Sequence, residues 1–321
     1  MAGTARRVVI LVGRTGGDVV AGWVLVGAPL DCSGTNRGEA HAPKALRDAG
    51  LVERIGARDA GDTAATIDNP DRDAHTGVIG FEQLRRASWE VNSAVTEVLE
   101  EAGRPLIVGG DCAVLVGALA AAKEHFGRVG LAFIDSHLDF FGGDTSPSGE
   151  AADMDLAFVT GYGPEGLVDL GGGTPPITEP GDVVVMGYRD DPEEEEGSAY
   201  EADLVDERVQ LVDALAIKRG DPERLGRYVA ERLEAQAGRF WVHFDVDAFD
   251  AEEMPAVTYP LPDRLGLEHA EALLRPLASS PALVGLSVVD FVPDKDPDGK
   301  NARRLVEILV GLLSAPRSSE L

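Results

Sequence analysis

Cysteine is scarce in this chain, and long apolar runs do not occur in it. The 321 residues include only two cysteines, Cys32 and Cys112, which cannot form a disulfide framework. We therefore expect the protein to reside in the reducing cytoplasm. No apolar stretch approaches the ~18 residues that a membrane span requires. The apolar run after Arg6 and Arg7 is short and Arg14 soon follows it, so we also expect no signal peptide.

Positive charge is also in short supply. The chain has 29 Lys and Arg residues against 56 Asp and Glu residues, which gives a formal net charge of -27 at pH 7. This charge repels nucleic acids and anionic membrane surfaces, so neither is an expected partner. It suits a cationic small-molecule substrate, although an acidic composition also fits adaptation to salt.

The remaining composition is typical of a soluble globular protein, with 44% hydrophobic and 26% charged residues. Apolar runs alternate with amphipathic stretches along the whole chain, which predicts a parallel β-sheet covered by helices on both sides. We therefore expect an α/β fold, a three-layer α/β/α sandwich with a mostly parallel central sheet. No linker interrupts the pattern, so residues 1–321 are interpreted as one domain in which 1–22 form an N-terminal extension or an edge strand.

The positions of the predicted elements follow from the hydrophobic periodicity and from the turn residues between them. Strands are predicted at residues 8–12, 23–27, 105–108, 129–134, 182–187, 209–212, 240–244 and 283–289. Helices are predicted at residues 43–49, 81–102, 113–126, 222–237, 267–278 and 302–313. Polar loops are predicted at residues 56–77, 142–152, 171–180 and 190–198.

Two clusters of metal-ligand residues follow predicted strands. Asp135, His137 and Asp139 alternate along one segment, and Asp245 and Asp247 alternate along another. Residues two apart in a strand lie on the same face, and parallel strands bring their carboxyl ends to one edge of the sheet. The spacing therefore predicts a binuclear metal site. The alternative, solvated aspartates at strand ends, fits poorly because both preceding runs are strongly apolar.

A third segment, Gly109-Gly110-Asp111-Cys112, joins a predicted strand to an alanine-rich helix. The glycines permit a tight turn, and Asp111 is a suitable N-cap for the helix. Cys112 would then lie in the first helical turn, where the helix dipole lowers the pKa of a thiol. A thiolate in this place could act as a metal ligand.

Taken in order, these segments resemble the arginase and agmatinase (ureohydrolase) family, whose signatures are G-G-D-H, D-A-H-x-D and S-x-D-x-D. Further similarity lies in residues 26–51, 186–192 and 283–293, and the resemblance covers roughly residues 23–315. It implies a three-layer α/β sandwich around a mostly parallel sheet. It also implies hydrolysis of a guanidinium group by a hydroxide that bridges two Mn²⁺ ions.

The resemblance implies a role for individual residues. Asp135 and Asp245 would bridge both metal ions, Asp139 would complete one, and His137 and Asp247 would complete the other. Cys112 falls where the family has a histidine ligand. Candidate catalytic residues are Asp290, His137 and Asp139. Candidate substrate contacts are Asp290, Ser148, Asp191, Thr258 and Phe141.

Several positions depart from the family pattern. A thiolate at Cys112 adds negative charge and favours Zn²⁺ or Fe²⁺ over Mn²⁺, whereas a protonated or averted Cys112 would leave one metal weakly held or absent. Ala152 falls where arginases have a proton-shuttle histidine, and Asp153, Asp155 or Glu150 could substitute for it. Phe141 replaces an asparagine that binds the amino acid carboxylate.

Two further positions bear on the site. Asp290 falls where the family has a glutamate that pairs with the guanidinium, and it is one methylene shorter. His243 precedes Asp245 by two residues and could face the metals, although a hydrogen-bonded core histidine is the simpler interpretation. Strict specificity for L-arginine is therefore not expected.

The leading hypothesis is a metal-dependent hydrolase that cleaves a C–N bond of a guanidine, amidine or modified guanidine. One alternative is a catalytically silent family member that binds a metabolite or serves as a partner subunit. Another is a hydrolase of a formimino or related group. The family precedent suggests Mn²⁺ and a homo-oligomer, either a trimer or a hexamer.

Overall fold

A single parallel β-sheet organises the protein. The computed structural model describes residues 22–189 and 201–314. Its eight strands pair in the order β2-β1-β3-β8-β7-β4-β5-β6, and every strand pairing is parallel. The strands are β1 Trp23–Ala28, β2 Arg58–Asp62, β3 Arg104–Gly109, β4 Gly130–Ile134, β5 Val183–Met186, β6 Gln210–Val212, β7 Phe240–Asp245 and β8 Leu283–Val289.

Helices cover both faces of this sheet. They are α1 Ala42–Asp48, α2 Leu51–Ile55, α3 Phe81–Glu100, α4 Val114–Phe126, α5 Asp155–Val159, α6 Ala214–Arg219, α7 Pro222–Ala237, α8 Leu267–Ser279 and α9 Lys300–Leu313. Buried residues of α3, α4 and α5 pack on one face, and those of the other helices pack on the opposite face. The α/β/α sandwich predicted from the sequence is confirmed.

Burial on both faces explains the apolar character of the strands. In β4, Leu131 and Phe133 pack against α4, while Ala132 and Ile134 pack on the other side of the sheet. Because neighbouring residues of a strand point to opposite faces, both sets must be apolar. The first polar side chain after this run, Asp135, therefore emerges where the strand reaches the edge of the sheet.

The strand order places the site in the middle of that edge. Strands β3 and β4 are consecutive parallel strands in the central part of the chain, yet β8 and β7 lie between them. Connections after β3 and β4 consequently leave in different directions and open a crevice at the carboxyl ends of the strands. Predicted site residues lie at the carboxyl ends of these four strands or within three residues after them.

Short or exposed elements are where the sequence-based assignment was wrong. Strand β2 was predicted as loop because its five residues, Arg58–Asp62, are all exposed and show no apolar alternation. Helices α2, α5 and α6 were not predicted, since five or six residues show too little of the helical period. The predicted strand at residues 8–12 lies outside the described residues.

Candidate metal centre

The carboxylates of β4 and β7 meet beside the cysteine that follows β3. The Cys112 Sγ donates a hydrogen bond to Asp245 Oδ2 at 2.9 Å and lies 3.7 Å from Asp135 Oδ2. All three residues are buried. The structure therefore joins the three sequence motifs at one point, and Cys112 is turned toward the cluster.

Backbone packing holds the turn that carries Cys112. The Gly110 N–H donates to the Ala28 carbonyl at 2.9 Å, and Asp290 N–H donates to the Gly110 carbonyl at 2.6 Å. A Cβ at Gly110 would lie 1.6 Å from the carbonyl oxygen of Leu30. Only glycine fits this close approach, which brings the end of β3 against the neighbouring β1 loop.

Two expectations about this turn were wrong. Asp111 is not the N-cap of α4, because the helix begins at Val114 and the Asp111 carboxylate accepts hydrogen bonds from Cys32 N and Ala113 N. Burial and the nearby carboxylates of Asp245 and Asp135 raise the pKa of the Cys112 thiol well above its usual value. The thiol is therefore neutral without a metal, since a helix dipole does not outweigh these two effects.

A second group of ligand atoms surrounds His137. Its Nδ1 lies 3.4 Å from Asp135 Oδ1 and 3.3 Å from Asp247 Oδ2, and the three residues offer ligand atoms within 4.8 Å of one another. Burial alone would lower the pKa of His137, but Asp247 and Asp135 raise it to about 9. We refer to the space lined by Asp135, His137 and Asp247 as the second position.

A first position lies deeper, between Cys112, Asp135 and His243. One ligand atom from each of these residues lies within 4.8 Å of the other two. His243 is fully buried, and burial lowers its pKa to about 3, so its imidazole is neutral. The sequence left open whether this histidine faces the site, and the structure brings it to the cluster.

Asp139 stands somewhat apart from these two groups. It is buried, and its backbone has a φ of 49°, in the left-handed region. Burial and the carboxylates of Asp135 and Asp155 raise its pKa well above the usual value. Among the described residues Asp139 belongs to no group of three ligand atoms within 4.8 Å. The carboxylate of Asp245 also raises the pKa of Asp139.

Asp290 forms a clamp with two residues from other loops. Thr258 N–H donates to Asp290 Oδ2 at 3.1 Å, and the Thr258 hydroxyl lies 2.5 Å from Asp290 Oδ1 and 2.6 Å from Glu39 Oε1. Glu39 is fully buried, and its Oε2 has no hydrogen-bond partner. The structure thus adds a second carboxylate beside Asp290 that sequence analysis missed, because a single glutamate in a polar loop carries no distinguishing signal.

Arg37 contacts the residues beside this clamp. Its guanidinium contacts Glu39 at 3.2 Å and Glu150 at 2.8 Å, and Nη1 lies 3.1 Å from Glu150 Oε1 and 3.2 Å from the Tyr259 hydroxyl. Burial raises the pKa of Glu150 to about 7, even though Arg37 opposes the shift. Arg37 therefore ties together the loops around the clamp.

The negative charge of the buried carboxylates at this site is not balanced by neighbouring cations. Burial raises the pKa values of Asp135, Asp245 and Asp290 above their usual range, and repulsion between these groups and Asp247 adds to the effect. Buried carboxylates are normally paired with cations or hydrogen-bond donors. The carboxylate, imidazole and thiol groups gathered here are ligands that divalent metal ions accept, so the residues present fit a metal centre.

The comparisons with known proteins agree with this geometry. The model of the Arginase family matches residues 21–314 of the chain. The chain belongs to the arginase family. It is 29% identical over 298 residues to the arginase of Bacillus caldovelox, covering 90% of this chain and 96% of that protein. Over 297 residues it is 28% identical to the arginase of Bacillus subtilis (strain 168), covering 89% and 97% of the two chains.

A solved arginase structure supports the same family assignment. The native structure of Bacillus caldovelox arginase at pH 5.6 has a TM-score of 0.83 and 25% identity, covering 92% of this chain and 99% of that chain. The family resemblance predicted from the motifs is confirmed. That Cys112 takes the place of a family histidine ligand stays a prediction from the motifs.

The remaining predicted substrate contacts are dispersed. Phe141 is buried and lines a cavity of about 1030 Å³ whose lining includes none of the predicted ligands. Ser148 is exposed, and its hydroxyl donates to Asp153 at 2.5 Å. Asp191 lies outside the described residues. Thr258 and Asp290 are the two predicted contacts that the structure brings together.

Proposed function

We propose that this protein is a metal-dependent hydrolase that cleaves a C–N bond of a cationic guanidine, amidine or modified guanidine. One observation carries the proposal: the Asp290 clamp lies beside the metal-ligand groups. Asp245, Asp247 and Asp290 offer ligand-type oxygens within 4.8 Å of one another. A carboxylate pocket for a cation therefore borders the place where a hydrolytic metal would bind.

The metal-binding residues are assigned by the two groups of ligand atoms. Cys112 and Asp135 lie at the first position, where Asp245 contacts Cys112, and Asp135, His137 and Asp247 meet at the second. Divalent ions in such sites supply a nucleophile at neutral pH by lowering the pKa of water, and they polarise the bond that is attacked. We propose Mn²⁺ from the family precedent, with Zn²⁺ or Fe²⁺ as alternatives because of the soft Cys112 sulfur.

The chain's own residues bind and orient the substrate. Asp290, held by Thr258, accepts hydrogen bonds from the substrate nitrogens, and the buried Glu39 carboxylate adds negative charge next to it. Hydrolysis forms a C–O bond from water and breaks the C–N bond, after which the leaving amine takes up a proton.

Location and assembly are part of the same proposal. Over the described residues, no helix is both long enough and apolar enough to cross a bilayer. We propose a cytoplasmic homo-oligomer, on the basis of the two cysteines and the family precedent. Size-exclusion chromatography with light scattering measures the assembly, and a monomer would contradict that part.

A substrate panel tests the proposed activity. Purified protein loaded separately with Mn²⁺, Zn²⁺, Fe²⁺ or Co²⁺ is incubated with guanidino, amidino, N-hydroxyguanidino and formimino compounds, and urea, ammonia and amine products are measured. We expect product from at least one cationic compound and loss of that activity in Asp245→Asn. Asp250→Asn, a matched change five residues further along the chain, should retain it. Absence of product with every metal and compound would contradict the proposal.

A further inference from the structure

His243 borders the first position and has a ring nitrogen without a hydrogen-bond partner. Its side chain is 0% exposed, and its Nε2 has no hydrogen-bond partner. A buried polar atom without a partner destabilises the folded state. A structural core histidine would use both of its nitrogens, so Nε2 requires a different explanation.

The other nitrogen of the ring is firmly held. His243 Nδ1 lies 2.8 Å from Ser287 Oγ on β8, and the same oxygen accepts a hydrogen bond from Trp241 Nε1 at 3.1 Å. The ring also stacks on Phe133, with 5.0 Å between ring centroids. When Nδ1–H donates to Ser287, the lone pair of Nε2 is available. Metal-bound histidines show this arrangement, in which the second ring nitrogen is fixed by a hydrogen bond.

The His243 ring lies beside two other metal-ligand groups. Cys112, Asp135 and His243 each place a ligand atom within 4.8 Å of the other two, and Cys112 Sγ is 3.7 Å from Asp135 Oδ2. Ligands that share a tetrahedral Zn²⁺ at bond lengths of about 2.0–2.3 Å lie roughly 3–4 Å apart. The three groups are therefore close to the spacing of one coordination sphere.

We propose that His243 is a metal ligand and that it replaces the imidazole missing at position 112. The motif pattern agrees, since the histidine of G-G-D-H is Cys112 here and the serine of S-x-D-x-D is His243. The first position then has a thiolate, an imidazole and carboxylates, a donor set that suits Zn²⁺ or Fe²⁺ better than Mn²⁺. This inference shares with the proposed function only the requirement for a metal ion at this edge.

The closing experiment measures metal binding rather than turnover. The full chain is freed of metal and titrated with Zn²⁺ against a competing chelator, as wild type, His243→Gln and the exposed control His125→Gln. We expect His243→Gln to weaken the tightest site at least tenfold and His125→Gln to leave it unchanged. An unchanged affinity in folded His243→Gln, with folding checked by circular dichroism, would overturn the proposal.

Diffraction from the wild-type protein provides a test that does not depend on the variant folding. Crystals containing Zn²⁺ are measured on both sides of the zinc absorption edge. The proposal predicts an anomalous peak within bonding distance of both His243 Nε2 and Cys112 Sγ, and a peak that contacts only the other ligands would overturn it. An inactive protein with zinc on His243 would refute the proposed function alone. An active protein whose metal avoids His243 would refute this inference alone.

Discussion

The guanidinium of Arg264 lies against Asp247, with Nη1 3.2 Å from the Oδ2 of that carboxylate. Nη1 also donates to the carbonyl oxygens of Asp247 at 2.7 Å and Tyr259 at 2.9 Å, and Nη2 lies 3.3 Å from His137 Nε2. Arg264 is 1% exposed. Although burial opposes the effect, Arg264 and His137 hold the pKa of Asp247 below its usual value. An internal cation therefore contacts two residues of the second position.

This contact predicts that the second position binds its metal weakly. Replacing Arg264 with Met removes the positive charge while keeping an extended side chain, so a divalent ion there should bind at least tenfold more tightly, about 1.4 kcal/mol. Isothermal titration with Mn²⁺ or Zn²⁺ resolves the two sites. Arg264→Lys is the matched control, since it keeps the charge and should keep the weak second site. Equal second-site affinity in wild type and Arg264→Met would contradict the prediction.

The carboxylate pair at the clamp predicts a split between binding and turnover. Glu39→Gln removes a buried negative charge while keeping its shape, so the KM for a cationic substrate should rise about tenfold, equivalent to 1.4 kcal/mol, with a smaller change in kcat. Asp290→Asn should lower kcat/KM by roughly 100-fold, because hydrogen bonds to charged groups contribute about 1.5–3 kcal/mol. Steady-state kinetics with the best substrate of the panel measure both.

The control for the clamp is Glu53→Gln, an exposed glutamate on α2 whose replacement should leave both kinetic constants unchanged. A Glu39→Gln protein with an unaltered KM would mean that the Glu39 charge does not act on the substrate.

The buried carboxylates predict how the metal-free protein responds to pH. Burial raises the pKa of Asp111 from 3.8 to about 6 and that of Glu150 from 4.5 to about 7. Between these values the folded state binds more protons than the unfolded state, so the free energy of unfolding falls as pH rises. Calorimetry of chelator-treated protein should therefore show a Tm that decreases by a few degrees from pH 5 to pH 8.

Glu150→Gln tests the cause of this pH dependence. Because the variant lacks the carboxyl group whose pKa is raised to about 7, its decrease in Tm above pH 6 should be smaller than that of the wild type. A Tm that rises with pH in the metal-free wild type would contradict the assignment of these raised pKa values.

Packing between β7 and β8 predicts the effect of a single methyl group. A Cβ at Gly285 would lie 2.1 Å from Cζ3 of Trp241, so Gly285→Ala must displace the indole that donates to Ser287. Overpacking of this kind costs about 1–3 kcal/mol. Urea unfolding followed by tryptophan fluorescence should show the loss, together with weaker zinc binding through the Ser287 contact to His243.

Gly311→Ala on α9 is the matched control for that substitution. A Cβ at Gly311 meets nothing within 4 Å, so alanine should stabilise the helix by about 0.5–1 kcal/mol. If both alanine variants had the same stability, the close contact between Gly285 and Trp241 would not be important.

The sequence by itself determined the sheet and the positions of the aspartates at its edge. A strand buried on both faces must be apolar throughout, and the polar residue that ends it must lie at the sheet edge, so β4 and β7 and their aspartates could be located. The three motifs, in their order along the chain, also indicated the arginase family. Strand β2 was not predicted from the sequence, because an exposed edge strand has no such apolar pattern.

Only the tertiary structure showed which distant residues surround the candidate metal centre. From the local sequence, Arg264 is interpreted as a turn residue, Glu39 as a loop residue and His243 as a core residue. The residues next to them in the chain do not indicate which side chains they contact. Their partners come from separate segments, such as Asp247 for Arg264 and Thr258 for Glu39. Local periodicity indicates which side chains are buried and on which face of a helix or strand they lie. Contacts between distant segments depend instead on how the strands are ordered in the sheet.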